Sequence, residues 1–202
     1  SVQAKALSEY RSETLQRFTA EGTEQLEFLN MPNVVLTAKH TTGKLTIHGM
    51  DSLEFLISAN RGEEPRPLAR IAPSGELSRI MLALKCVIAD RDSIPTLIFD
   101  EIDTGISGRT AQKVSERLSY IAGKHQVLCI THLPQIAAMA DVHFVIEKSS
   151  TDDMTITDIH KVSAEESLAE LARLLGSDAL TEAALSNAKE MKEQAGMFKE
   201  TR

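Results

Sequence analysis

Two short apolar runs, Thr96-Leu97-Ile98-Phe99 and Val127-Leu128-Cys129-Ile130, constrain this chain more than any other feature. Each has strand length and no polar interruption, as in strands buried on both faces of a parallel sheet. Between them, Ala111, Val114, Leu118 and Ile121 recur at helical spacing over 109–122, with Gly123 placed to end the helix. The pattern is strand, helix, strand, which requires a crossover connection and an α/β core. The chain of 202 residues, 42% hydrophobic, can bury such a core as one domain plus an appendage or as one large domain.

The flanks extend this plan. Residues 1–29 carry Val2, Ala6, Leu7, Tyr10, Leu15, Phe18, Leu26 and Leu29 at roughly helical spacing. Gly22 weakens the stripe and Asn30-Met31-Pro32-Asn33 ends it. Val34–Ala38 and Lys44–His48 are β-prone and read as a hairpin turning at Thr41-Thr42-Gly43, and residues 53–59 form a further apolar run. Leu77, Ile80, Met81, Leu84, Val87 and Ile88 mark an amphipathic helix that Ser74 can cap. After Pro134 come a short helix and a strand at 142–146. An alternating segment at 155–162 suits an antiparallel partner of that strand, and two helices follow within 168–175 and 180–197.

Chemistry in an open α/β sheet gathers where strands end at their carboxyl side. Asp100-Glu101 leaves the first central strand and Thr131-His132 the second. Adjacent carboxylates leaving a strand point to different sides, so Asp100 can hold a metal while Glu101 handles a proton, a division suited to phosphoanhydride hydrolysis. The same pair can also simply open a solvated loop. The glycine-rich segment Ile102–Gly108 follows. It can carry Asp103 toward a partner subunit, or serve as a helix entry with Ser107 as cap. His132 can donate to a terminal phosphate oxygen, while His40, His48, His125, His143 and His160 read as ordinary surface or core residues. Ser74-Gly75-Glu76 starts a helix, where backbone N–H groups bind anions, though such residues alone are more often only a cap.

Several classes are disfavoured. A net charge of −7 argues against a module that binds nucleic acid by itself. Cys86 and Cys129 lie in apolar runs as free thiols, and nothing resembles a signal peptide or a membrane span, so a cytoplasmic location is expected.

Three segments, RPLARIAPSGELSRIMLALK, TLIFDEIDTGISGRTAQKVSERL and HQVLCITHLPQIAAMAD, resemble in order and spacing the signature, Walker B with D-loop, and switch-histidine segments of the RecN family of SMC-like ATPases. The resemblance runs from about Leu53 to Glu190. It implies the C-terminal lobe of an ABC/SMC-type ATPase head, a mixed, mainly parallel sheet flanked by helices. Residues 1–30 would be the returning base of a coiled-coil arm and 31–202 the lobe. It further implies Asp100 as the Mg²⁺ carboxylate, Glu101 as general base, Asp103 as the D-loop acid and His132 as the switch histidine. Ser74, Gly75 and Glu76 would touch the ATP held by an opposite head. The family usually has Ser-Gly-Gly-Glu at this point, and an ungapped match to Glu76 sets Pro73 and Ser74 under the first Ser and Gly.

No phosphate loop of the form G-x-x-x-x-G-K-[ST] occurs: around Gly43-Lys44 the expected first glycine is Ala38 and the final hydroxyl is Leu45. The resemblance therefore implies an N-terminal half carrying that loop as partner, a second head in a homodimer, DNA contacted by the whole protein, and a nucleoid-associated role in double-strand break repair and recombination. Such a chain is expected to be inactive alone. Two alternatives remain at the level of sequence: an ATP-gated DNA clamp with incidental turnover, and an ABC transporter subunit.

Overall fold

The computed structural model describes residues 1–201 apart from 59, 61, 72, 73, 151–154 and 177–179; Pro73 of the signature turn thus lies outside the described residues. Helix α1 (Val2–Phe28) starts at Ser1, whose hydroxyl caps the Ala4 amide, and stops where Asn30 adopts a left-handed backbone (φ 63°). Gly22 does not break it. A Cβ there would stand 2.7 Å from Leu36 Cδ2, so the glycine lets α1 lie close against the sheet beside it.

That sheet is antiparallel, with β1 (Val35–Thr46), β2 (Gly49–Ser58) and the two-residue β3 (Arg66–Pro67) in the order β1-β2-β3. The hairpin expected at Thr41-Thr42-Gly43 is not where the chain turns. β1 runs through those residues and reverses at Ile47-His48, while Gly43 falls within a bulge between Thr42 and Thr46.

Helix α2 (Gly75–Ile88) presents Ile80, Leu82, Ala83, Leu84 and Cys86 to the core. Strand β4 (Thr96–Phe99), helix α3 (Gly108–Ala122) and strand β5 (Gln126–Cys129) form the expected crossover, with β4 and β5 parallel and Phe99 opposite Cys129. One main core joins the end of α1, β1, β2, α2, β4 and α3, with Leu26, Leu29, Leu82, Ile102 and Ile121 fully buried. A smaller cluster holds α4 (Pro134–Ala138), α5 (Ala164–Leu174) and α6 (Glu182–Glu200) together through Ala138, Leu171, Ala172 and Ala188. Between α4 and α5, β6 (Phe144–Ser150) and β7 (Thr155–Lys161) pair antiparallel as expected. Among the described residues the parallel part of the sheet is the β4–β5 pair alone. No helix among them is long and apolar enough to cross a membrane.

Candidate functional site

Because β4 and β5 are neighbouring parallel strands, their carboxyl ends deliver Asp100-Glu101 and Thr131-His132 side by side. Asp100 and Glu101 are both exposed. Asp100 Oδ1 accepts the Glu101 amide at 2.9 Å, and Glu101 is held in the left-handed region at φ 56°. A residue other than glycine, asparagine or aspartate stays there only when its surroundings impose it, at a cost of about 1–3 kcal/mol. The Glu101 carbonyl accepts the Thr104 amide at 3.1 Å, closing residues 101–104 into a tight turn.

The first turns of α2 hold that turn in place. Ser78 Oγ donates to the Asp100 carbonyl at 3.0 Å, and Arg79 Nη1 donates to the carbonyls of Ile102 and Thr104 at 3.1 and 3.0 Å. Gly75 lies against the same backbone: a Cβ on it would come within 2.7 Å of the Glu101 carbonyl oxygen and 3.0 Å of Thr104. Ser74 caps α2 through the Leu77 amide at 3.3 Å, and Glu76 is exposed in the first helical turn. The signature-like residues and the paired carboxylates are thus one packed unit. Burial pushes the Arg79 guanidinium below its ordinary range, with the charge of Glu76 opposing that shift.

Asp103 does not project outward. Its carboxylate is buried, and Oδ2 accepts the Thr131 hydroxyl at 2.6 Å and the His132 amide at 2.8 Å, with His132 Nδ1 at 3.0 Å. Within this chain, donors at the end of β5 satisfy a carboxylate that would be costly to bury unpaired. The His132 side chain itself is 70% exposed, so the ring is anchored on one side and open on the other. Ser107 stands at the N-cap position of α3 without a side-chain capping bond. Beneath the site, burial and the charges of Asp103 and Asp100 push the Cys129 thiol up to about 12, leaving it neutral and unreactive at physiological pH.

Reasoning from sequence placed Thr131 at the strand end without a role and overlooked Ser78 and Arg79. Arg79 left a signal, since a charged residue occupies the helix face that Gly75, Leu82, Ala83 and Cys86 bury.

No family model matches the chain. In an alignment of 203 positions that covers 98% of its length, it is 40% identical to the DNA repair protein RecN of Halalkalibacterium halodurans. It is 49% identical over 154 residues, 76% of its length, to the DNA repair protein RecN of Treponema pallidum. The chain belongs to the RecN family. It spans 36% of the first relative and 26% of the second, about a third of a RecN protein or less. Solved structures give the fold: an Smc head domain with coiled coil and joint from Pyrococcus yayanosii superposes with a TM-score of 0.56 at 20% identity, over 80% of this chain and 30% of that one. An Smc head from Pyrococcus furiosus, bound to the C-terminal domain of ScpA, gives 0.53 at 19% identity, over 85% of this chain and 41% of that one. This RecN-family chain therefore has the fold of part of an Smc head domain, with α1 leading into it.

Proposed function

We propose that this chain is the C-terminal half of a RecN-type ATPase head, and that it hydrolyses ATP only when joined to a half carrying the phosphate loop. The observation that carries this is the pairing of Asp100-Glu101 with His132 at the carboxyl ends of adjacent parallel strands, on a turn bolted to the start of α2. Glu101 orients the attacking water and takes its proton, and the open side of His132 donates to the terminal phosphate. Asp103 fixes the His132 ring from behind. Ser74, Gly75 and Glu76, at the N-terminus of α2, meet the terminal phosphate of the nucleotide held by the opposite head.

Asp100 would hold Mg²⁺. The described residues contain no cluster of three or more His, Cys, Asp or Glu side chains able to cage a metal, and the donor set here is one exposed carboxylate. That fits Mg²⁺, which keeps several waters and takes one or two carboxylates together with phosphate oxygens. When bound, the ion neutralises charge on the transferring phosphoryl group.

The incomplete sheet supports the need for a second half. Ile98, Leu128 and Ile130 share one face of the β4–β5 pair and are 70%, 46% and 51% exposed, whereas parallel sheets are normally covered on both faces. Residues 1–30 serve as the base of an arm and 31–202 as the lobe, although Leu26 and Leu29 already belong to the lobe's core. In the whole protein, ATP closes two heads and tethers DNA ends during double-strand break repair and recombination in the nucleoid. With a net charge of −7, this chain leaves most DNA contact to other parts.

The test is ATP turnover by the complete head, this chain together with a phosphate-loop half. Glu101→Gln should lower kcat by about 100-fold or more while ATP-dependent dimerisation persists. Unchanged turnover would remove Glu101 from the role of base.

A further inference from the structure

We propose that Arg79 is a positioning residue that couples the signature turn of each head to the Glu101 turn of the same head, so that nucleotide at one composite site sets the base acting at the other. The proposal rests on the ATPase reading above and adds to it a route between the two sites.

Arg79 is 6% exposed, yet among the described residues no carboxylate forms an ion pair with it. Its two hydrogen bonds both come from Nη1 and both go to backbone carbonyls of the 101–104 turn, while its buried Nε has no partner. Burying a guanidinium on these terms is expensive, and an aliphatic side chain would fill the same helix position at lower cost. What the arginine supplies that an aliphatic residue does not is a grip on Ile102 and Thr104, the two carbonyls that flank Asp103. Ser78 adds a third grip at Asp100. The carbonyls of 100, 102 and 104 are all held from α2, and Gly75 closes the contact at Glu101. The left-handed backbone of Glu101 is thus held from α2 as well as by its own loop, where its amide meets Asp100 Oδ1 and its carbonyl the Thr104 amide.

Ser74 and Glu76 begin the same helix, one turn before Ser78 and Arg79. A phosphate seated on that N-terminus pulls on a rigid element whose next turn holds the carbonyls around Glu101. The nucleotide at the signature belongs to one composite site and Glu101 serves the other. The two sites therefore share a mechanical element in each head, which is the physical requirement for coupling between them.

The experiment uses the complete head. Arg79→Met should lower kcat about 10-fold or more with KM for ATP changed less than about 3-fold, the signature of an interaction needed in the transition state and not for binding. The Hill coefficient for ATP turnover should fall from above one in wild type toward one. Arg79→Lys should recover only part of kcat, because a single ammonium cannot reproduce the planar fork. In a Glu101→Gln background, Arg79→Met should cause no further loss of residual turnover and leave ATP-dependent dimerisation intact, as expected of a residue acting through Glu101. Should Arg79→Met fail to fold, Ser78→Ala provides the same test at one hydrogen bond, with kcat per folded protein lowered about 2- to 5-fold. The proposal is overturned by wild-type kcat in folded Arg79→Met, by wild-type kcat in Ser78→Ala where Arg79→Met does not fold, by a wild-type Hill coefficient of one, or by additive losses with Glu101→Gln. If Glu101→Gln itself retains full turnover, the ATPase reading fails first. If Glu101→Gln is inactive and Arg79→Met is not, only the coupling fails.

Discussion

Asp103 and His132 are joined twice, through the backbone amide at 2.8 Å and the ring Nδ1 at 3.0 Å, both to the same carboxylate oxygen. That double attachment fixes where the exposed imidazole points. Asp103→Ala should release the ring and leave the Thr131 hydroxyl and His132 amide without their acceptor. Loss of the acceptor for these part-buried donors costs about 0.5–1.5 kcal/mol, read as a lowered urea midpoint. Misplacing His132 should also lower kcat of the complete head by roughly 10- to 100-fold. Wild-type turnover in this variant would mean that the ring needs no anchor.

Gly75 offers a steric test of the contact between α2 and the 101–104 turn. In Gly75→Ala the new methyl meets the Glu101 carbonyl oxygen at 2.7 Å and Thr104 at 3.0 Å, and backbone cannot rotate away as a side-chain tip can. Overpacking of this kind costs about 1–3 kcal/mol and should displace Glu101, so stability and kcat fall together. Gly196→Ala is the matched control: it lies inside α6 with nothing within 4 Å of the added Cβ. There the substitution should stabilise by about 0.4–1 kcal/mol, as a rise in Tm without change in turnover.

Much of this arrangement was legible before any coordinates, and the part that was not has a physical reason. The crossover from β4 to β5 announces itself because both strands are short apolar runs ending in polar residues, which also locates Asp100, Glu101 and His132. The hairpin was misread because Thr41-Thr42-Gly43 has the composition of a turn. The outer half of β1 is exposed on both faces, so no alternation of apolar residues marks it as strand. The inward direction of Asp103 and the grips of Ser78 and Arg79 are contacts between side chains and distant backbone or loop groups, and such contacts leave no periodicity. Only the misplaced charge of Arg79 on a buried helix face hints at them.

Asp51 should govern acid stability where α1 meets the β1–β2 hairpin. Its side chain has no exposure and accepts hydrogen bonds from Ser8 at 2.6 Å, His40 at 2.7 Å and Arg11 at 2.9 Å. The bond from Ser8 first, then that from His40, and more weakly Arg11, hold its carboxyl at about 2, below the ordinary 3.8, against the opposing effect of burial. The folded state therefore favours the ionised form. The stabilisation is complete above 3.8, diminishes as pH falls below that value, and is gone below about 2. Wild type should exceed Asp51→Asn in urea midpoint at pH 7, and the gap should narrow steadily between pH 4 and pH 3. A gap independent of pH would show that the latch does not depend on the charge.

The bare face of the β4–β5 pair gives a prediction about assembly. Ile98, Leu128 and Ile130 are 70%, 46% and 51% exposed, so covering what remains would contribute roughly half to two thirds of the about 1.5–3 kcal/mol that full burial of each side chain brings, a favourable term for docking a second half. Without that half, the face should bind a hydrophobic dye such as ANS, and the isolated chain should show negligible ATPase activity. Adding a phosphate-loop half should quench the dye signal and bring turnover with it. Ile98→Lys with Leu128→Lys should separate these effects. The isolated variant should stay folded and bind less dye, because both side chains already face solvent, yet it should fail to restore activity when mixed with the other half. Restoration at the wild-type level would show that the missing half docks elsewhere, and that these three residues are covered by something other than the rest of the head.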